Sequence, residues 1–319
     1  MKKIIQVFTS SILFLFLIYM LSYSKEVMDS VTFSISIWID NLFPSLFPFL
    51  ILSYFFVSYG ISDLLSEIMK PIVVNIFNLP ASCGYTIVLS LFSGFPSSAK
   101  FIKDELDKEN IGLDDANYLL KFCHFSSPLF IVGTIGSSLL GSSKLGFLIL
   151  VSHYLGSFII ALIYRNKEKR YRDSKINLKN TLKKINSSIP ASRTFSDVLK
   201  NARKQAFDVL LLLLGIITVF LIITTALTSI IPLTELQRGM LSGILEMTQG
   251  IKYVSLLDLP IIYRMLAITG FISFGGLSIH TQVLSILSDY KISYISYFIS
   301  RVLHVVFSCI SLVLLYIFM

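Results

Sequence analysis

Ser93-Gly94-Phe95-Pro96-Ser97-Ser98-Ala99-Lys100 interrupts an apolar run at 83–92 that is too short to cross a bilayer, and a charged helix continues after it. A spanning α-helix needs ~20 apolar residues for ~30 Å of hydrocarbon. A helix broken inside lipid leaves N–H and C=O groups that only protein or a water-filled cavity can satisfy. The octapeptide is therefore read as a break held within the protein. A second short segment starts at Ser126-Ser127-Pro128, carries no charge over 125–143, and is followed by a full apolar helix at 145–164.

Working outward, a similar pattern follows a basic stretch. Residues 209–234 are uncharged and long enough to span. A short segment then ends in Glu246-Met247-Thr248-Gln249-Gly250, and the uncharged run 265–288 is interrupted at Ser273-Phe274-Gly275-Gly276-Leu277-Ser278. The last helix covers 292–318. Ser127 precedes the Ser152-His153 pair by 25 residues, and Gly276 precedes Ser300-Arg301 by 24. Recurrence of this kind predicts a duplicated architecture. Gly133, Gly136 and Gly141 are read as packing glycines, which let membrane helices approach closely.

Composition agrees with a membrane chain. Of 319 residues, 54% are hydrophobic and 14% charged, and the mean hydropathy is +0.77. A soluble chain carries about a quarter charged residues. Thirteen Lys or Arg fall within 165–204, against Glu168, Asp173 and Asp197, so this stretch alone exceeds the net charge of +8. Basic loops are held on the cytoplasmic side, which makes the stretch a topological anchor rather than a nucleic-acid site. Cys83, Cys123 and Cys309 lack the spacing of a disulfide framework or a metal site.

At the start, Lys2 and Lys3 precede an uncharged run at 4–24, read as an uncleaved first span with a cytoplasmic N-terminus. Residues 26–43 are mixed in polarity, with Trp38 expected at the interface. A second apolar segment covers 42–59, with Pro44 and Pro48 near its start, and 61–80 reads as an amphipathic helix along the membrane surface. The resulting division is 1–80 for the first spans and interfacial helix, 81–164 and 206–319 for the two repeat-bearing halves, and 165–205 for the basic loop.

Interruptions at matching places in two halves point to a transport site, because half-helix ends offer partial charges and unpaired backbone groups to a solute. The candidate binding tips are Ser93, Gly94, Pro96, Ser97 and Ser98, then Ser126 and Ser127, then Gly275, Gly276 and Ser278. Lys100, one turn past Pro96, suits a carboxylate ligand; the alternative is snorkelling to the headgroups. Glu246 is the one acid of an otherwise uncharged stretch. An intramembrane carboxylate costs about 2.5 to 3.5 kcal/mol on insertion scales and is a functional candidate by default. It is read as the ion-coupling residue for Na⁺ or H⁺, the alternative being a pair with Arg264 or Arg301. Thr248 and Gln249 can hydrogen-bond a solute beside it. His280, with Gln282 nearby, and His124 are titratable candidates, and Asn117 is a further one. His153 and His304 read as structural.

Four segments carry a family resemblance: Leu42-Phe43-Pro44-Ser45-Leu46-Phe47-Pro48-Phe49, the Ser93 to Lys100 octapeptide, Ser127-Pro128-Leu129-Phe130-Ile131-Val132-Gly133, and Phe274-Gly275-Gly276-Leu277-Ser278-Ile279-His280. In order along nearly the whole chain, they resemble the signature segments of the YlbJ-type sporulation integral membrane proteins. That family is placed in the nucleoside-recognition, or Gate, group and is similar in architecture to the concentrative nucleoside transporters. Ser98 and Phe125 depart from the pattern, where the family would have glycine and a polar residue.

The resemblance implies an all-α polytopic membrane protein with two inverted Gate-type repeats, broken helices and re-entrant hairpins. It implies a place in the membranes around the developing spore and export of dipicolinic acid from the mother cell toward the forespore. The alternatives are a transporter of a nucleoside or another small metabolite, and a non-transporting scaffold for spore assembly. Expected partners are the bilayer and the solute, with a homo-oligomer left open. No cofactor is expected beyond a coupling ion. Phosphate-loop, dinucleotide and His-Glu-x-x-His motifs are missing from the sequence, so an enzyme is not expected.

Overall fold

The computed structural model describes residues 2–166, 168, 171, 173–188 and 194–318, and among these the chain is all-helical. Of the basic stretch, Lys167, Lys169, Arg170, Arg172 and Arg193 lie outside the described residues, and of Lys2 and Lys3 only the backbone is described.

In chain order the helices are α1 (Lys2–Ser22), α2 (Ser24–Ile37), α3 (Phe43–Ser58), α4 (Ile61–Ile72), α5 (Cys83–Ser93), α6 (Ser97–Asp107), α7 (Leu113–Phe122), α8 (Ser143–Tyr164), α9 (Leu178–Ser188), α10 (Phe195–Ile230), α11 (Glu235–Leu245), α12 (Met247–Leu256), α13 (Ile261–Phe274), α14 (Gly276–Ile286) and α15 (Tyr294–Ile317). π-helical turns occupy Trp38–Leu42, Val73–Phe77 and Leu129–Leu139. Five stretches are long and apolar enough to cross a membrane: Ser24–Ser58, Ser143–Tyr164, Phe195–Ile230, Ile261–Ile286 and Tyr294–Ile317.

The same order of elements occurs twice. A pair of short helices (α5 and α6, then α11 and α12) is followed by an interrupted helix and then by an unbroken one (α8, then α15). In the first half the interruption lies between α7 and the π-helical turns; in the second it lies between α13 and α14. By order, then, the Gly94 break corresponds to Glu246, and the His124 to Ser127 break corresponds to Gly275. The second of these pairings is the one the spacing predicts, with Ser127 25 residues before Ser152-His153 and Gly276 24 before Ser300-Arg301.

Helix α8 packs along α15, and a core of buried residues from α5 to α8 and α12 to α15 surrounds this contact, including Ile149, Ile160, Met265, Ile268 and Leu312. In lipid, close contact of small residues holds helices together. A Cβ on Gly136 would stand 2.7 Å from Gly146 Cα, so the approach of the π-helical turns to α8 requires glycine there. Gly141 is different: its φ is +69° with open space around it, so it serves a turn and not packing. A second core joins α2, α3 and α10 through Ile37, Leu46, Leu50, Leu210, Leu213 and Ile217.

Two expectations need correction. The second span does not begin near residue 42; it runs without a break from Ser24 to Ser58. Pro44 and Pro48 lie within it rather than at its start. A proline cannot donate to the preceding turn and crowds its carbonyl, and the wider π-helical turn at Trp38–Leu42 precedes Pro44. Trp38 is half-buried and donates its indole N–H to Leu210 O at 2.8 Å, fastening α2 to α10. Finally, 165–205 is no simple loop. It holds α9 and the first turns of α10, whose 36 residues reach ~54 Å. Asn78 donates to the carbonyls of Asn166 and Glu168, and Asn177 N–H donates to Glu67, docking the segment on the end of α4.

Candidate functional site

All four interruptions are buried and packed together, Gly94 against Ser127, Gly276 against Met247 and Gly275 against His124. At the first, Gly94 takes φ +76° and Phe95 N–H donates to Phe125 O at 2.7 Å, so the break after α5 is bonded to the break after α7. A Cβ on Gly94 would meet Ser127 N at 2.6 Å. The left-handed backbone and the contact together demand glycine. The Phe95-Pro96 peptide is cis.

The break after α7 takes partners from the unbroken helices. Ser126 N–H donates to His153 Nε2 at 3.0 Å, and the Ser157 hydroxyl donates to Phe122 O. Arg301 donates to Lys121 O, and the Tyr154 hydroxyl reaches Ser126 O at 3.5 Å. Ser127 Oγ accepts from Phe130 N–H and starts the following turns. Each orphan group of a helix end must find such a partner where water is absent.

In the second half Glu246 caps α12. Its carboxylate accepts Gln249 N–H at 2.9 Å and the Thr248 hydroxyl, with the Ser278 hydroxyl beside it. Glu246 is 1% exposed, and among the described residues it makes no ion pair. Both cations considered as partners are engaged elsewhere: Arg264 donates to Ser255 O, and Arg301 serves the α7 break. An anion at a helix N-terminus is stabilised by the unpaired N–H groups and the dipole. Gly276 begins α14 against this tip, where an added Cβ would lie 3.0 Å from Met247 N.

Histidines join the two halves. His124 stacks on Phe95 at 4.5 Å, and its Nδ1 is 3.2 Å from the Tyr297 hydroxyl. Its Nε2 has no partner and faces Gly275, where an added Cβ would stand 2.7 Å away. His153 bridges Ser126 and Ser273, with Nδ1 3.0 Å from Ser273 Oγ. Because His153 Nε2 accepts a backbone N–H, its proton sits on Nδ1. His304 lies 4.7 Å from the His153 ring, donates Nε2–H to His153 O at 2.9 Å, and accepts from Arg301 at Nδ1. Both rings are therefore neutral in this arrangement.

The sequence-derived candidates sort accordingly. Ser93, Gly94, Pro96, Ser97, Ser98, Ser126, Ser127, Glu246, Thr248, Gly275, Gly276 and Ser278 lie at or beside the meeting breaks, and Gln282 follows one turn along α14. Ser278 Oγ faces the Glu246 carboxylate, while Ser97 Oγ, both polar atoms of Gln282 and His124 Nε2 are buried without hydrogen-bond partners. Buried polar groups are nearly always paired, so these atoms are free for a solute or water. Ser93 is engaged instead, back-bonding to Leu89 O at 2.8 Å.

Four candidates point elsewhere. Lys100 pairs with Asp104 and lines a separate cavity of about 160 Å³ with Ser53, Tyr54, Tyr85 and Gln205. The Gln249 side chain lines another, of about 250 Å³, with Phe33 and Lys252, and only its backbone serves the Glu246 tip. His280 is bonded to Phe274 O at 3.0 Å and to the Tyr294 hydroxyl at 3.3 Å, so it closes the end of α13. Asn117 accepts Ser293 N–H, tying α7 to the start of α15. The sequence reading missed Tyr297 as part of this centre, considered Arg301 only as a partner for Glu246, and read His153 and His304 as structural. Their signal was present: Tyr297, Ser300, Arg301, His304, Ser308 and Ser311 recur at helical spacing on the buried face of α15.

Apolar spans around a core of meeting helix breaks define a polytopic integral membrane protein. The chain is homologous to the sporulation integral membrane protein YlbJ of Bacillus subtilis, with 27% identity over 322 residues, 93% of this chain and 79% of that protein. This bears out the YlbJ-type resemblance and supports a membrane protein involved in sporulation. No protein-family model matches the chain, and no solved structure does.

Proposed function

We propose that this protein moves a small anionic solute across a membrane during sporulation, with the meeting helix breaks as the binding place. The observation that carries the reading is the junction itself. Phe95 N–H bonded to Phe125 O, and Gly276 seated against Met247, bring four interrupted helices together around buried polar atoms that lack partners. Breaking a helix in lipid is costly unless protein or a water-filled cavity satisfies the freed groups, and discontinuous helices meeting at mid-membrane are how transporters hold polar solutes. Glu246 is the coupling residue in this reading, exchanging Na⁺ or H⁺. The Gate-type relation and the inverted repeats belong to the same reading.

Dipicolinic acid is the solute the YlbJ-type resemblance favours, exported from the mother cell toward the forespore across the mother-cell-derived membrane, with the N-terminus and 165–205 cytoplasmic. Proteoliposomes loaded with the purified protein test this. Uptake of labelled dipicolinate above empty liposomes is expected, changing with an imposed Na⁺ or H⁺ gradient. Clear uptake of a nucleoside without dipicolinate would replace the solute. No uptake of either, with sporulation depending on surface loops rather than on Glu246, would favour a scaffold.

A further inference from the structure

Arg301 is a fully buried guanidinium on α15, at 0% exposure. It donates to Lys121 O, to His304 Nδ1 at 3.1 Å and to Ser300 Oγ at 3.4 Å, and it lies 5.4 Å over the Tyr297 ring. All four partners are neutral. Among the described residues no carboxylate pairs with it, and its Nε has no partner. A buried charge without a counter-charge is strongly unfavourable.

Closing the end of α7 does not account for it. The next carbonyl, Phe122 O, is satisfied by the hydroxyl of Ser157, and Ala161 O by the hydroxyl of Tyr118. Neutral donors meet the same need nearby, so a permanent charge supplies something more.

The guanidinium is linked to the unpartnered side of the junction. It lies over the Tyr297 ring, the Tyr297 hydroxyl meets His124 Nδ1 at 3.2 Å, and His124 Nε2 faces Gly275 unpartnered. When Tyr297 donates to Nδ1, the proton of the neutral ring sits on Nε2 and becomes a donor aimed into the junction. A positive charge behind that donor favours an anion in front of it.

Resting on the transport reading above, we propose that Arg301 is the specificity-determining residue of the junction: its charge, passed through Tyr297 and His124, selects a carboxylate over a neutral solute of the same shape. Arg301 is a positioning residue here. The donor that meets the ligand is His124 Nε2–H.

The probes are pyridine-2,6-dicarboxylate and its neutral isostere pyridine-2,6-dicarboxamide, titrated by calorimetry against the purified full-length protein. Wild type is expected to prefer the dicarboxylate at least tenfold. Arg301→Lys keeps the preference. Arg301→Gln brings the two affinities within about threefold while still binding the diamide, which a merely unfolded variant would not do. An undiminished preference in Arg301→Gln overturns the proposal and leaves the transport reading standing. Should Arg301→Gln not be recovered folded, His124→Phe decides in its place: a lost preference supports the proposal and an unchanged one overturns it. Wild type that binds neither probe but takes up a nucleoside removes the anionic-solute reading and this inference together.

Discussion

His153 Nε2 accepts the N–H of Ser126 at 3.0 Å across 27 residues of chain, so an unbroken helix supplies the hydrogen bond that an interrupted one has lost. His153→Phe keeps the bulk and removes the acceptor, leaving a buried amide unpaired and freeing Ser273 as well. An unsatisfied buried donor costs about 1–3 kcal/mol. Thermal unfolding of the detergent-purified protein should show a fall of that order. An unchanged midpoint would mean that Ser126 finds another partner.

Gly275 carries φ +89° and leaves the space that His124 Nε2 occupies. Gly275→Ala adds a Cβ in a conformation costing about 1–3 kcal/mol for a side-chain-bearing residue, and pushes against a buried ring. Gly141→Ala has the same kind of backbone, with φ +69°, but meets nothing within 4 Å. The difference in unfolding midpoint between the two variants isolates the His124 contact. Gly275→Ala is expected to be clearly the less stable, and equal losses would mean that the ring moves aside at no cost.

The breaks were legible because the residues that make them are unlike their surroundings. Ser93-Gly94-Phe95-Pro96 and Phe274-Gly275-Gly276 stand out of apolar runs, and no straight helix of ordinary length accommodates them. Glu246 was legible as a lone acid. What the sequence hid was the supply side. His153, Tyr297, Arg301 and His304 lie on helices whose mean hydropathy marks them as plain spans, and their purpose depends on a neighbouring helix that no local pattern names. Lys100 misled for the converse reason. Its place beside Pro96 is close in sequence, but one turn of helix rotates it toward Asp104 and a different cavity. The continuity of Ser24–Ser58 was masked because Asp40, Asn41 and two prolines resemble a boundary, while the π-helical turn that carries the helix through leaves no compositional trace.

Glu246 combines a cap with the proposed coupling role, and two substitutions separate them. Glu246→Gln retains a side-chain oxygen for Gln249 N–H and loses the charge. Glu246→Ala loses both, and removal of an N-cap costs about 1 kcal/mol. In proteoliposomes Glu246→Gln is expected to keep nearly wild-type stability while solute uptake no longer responds to an imposed ion gradient. Glu246→Ala should lose stability as well. Gradient-driven uptake that persists in Glu246→Gln would move the coupling site elsewhere.

The segment following α8 is held by charge as well as by Asn78. Lys70 Nζ donates to Asp173 Oδ2 at 2.8 Å, and this hydrogen bond, with the backbone N–H of Lys175 and the lysine's charge, holds the Asp173 carboxyl below its usual range. A depressed carboxyl pKa contributes stability that is present above the unfolded value of about 4 and is lost as pH falls through the lower folded value. Docking should therefore be unaffected between pH 8 and pH 5 and loosen only in stronger acid. A spin label at Ile176→Cys, an exposed position in the same segment, reads this directly. Its mobility should rise below about pH 4 in the otherwise unchanged protein, and Lys70→Ala should make it mobile already at neutral pH. Equal mobility of the two proteins at neutral pH would assign the docking to Asn78 and Glu67, whose bonds to this segment do not involve Lys70.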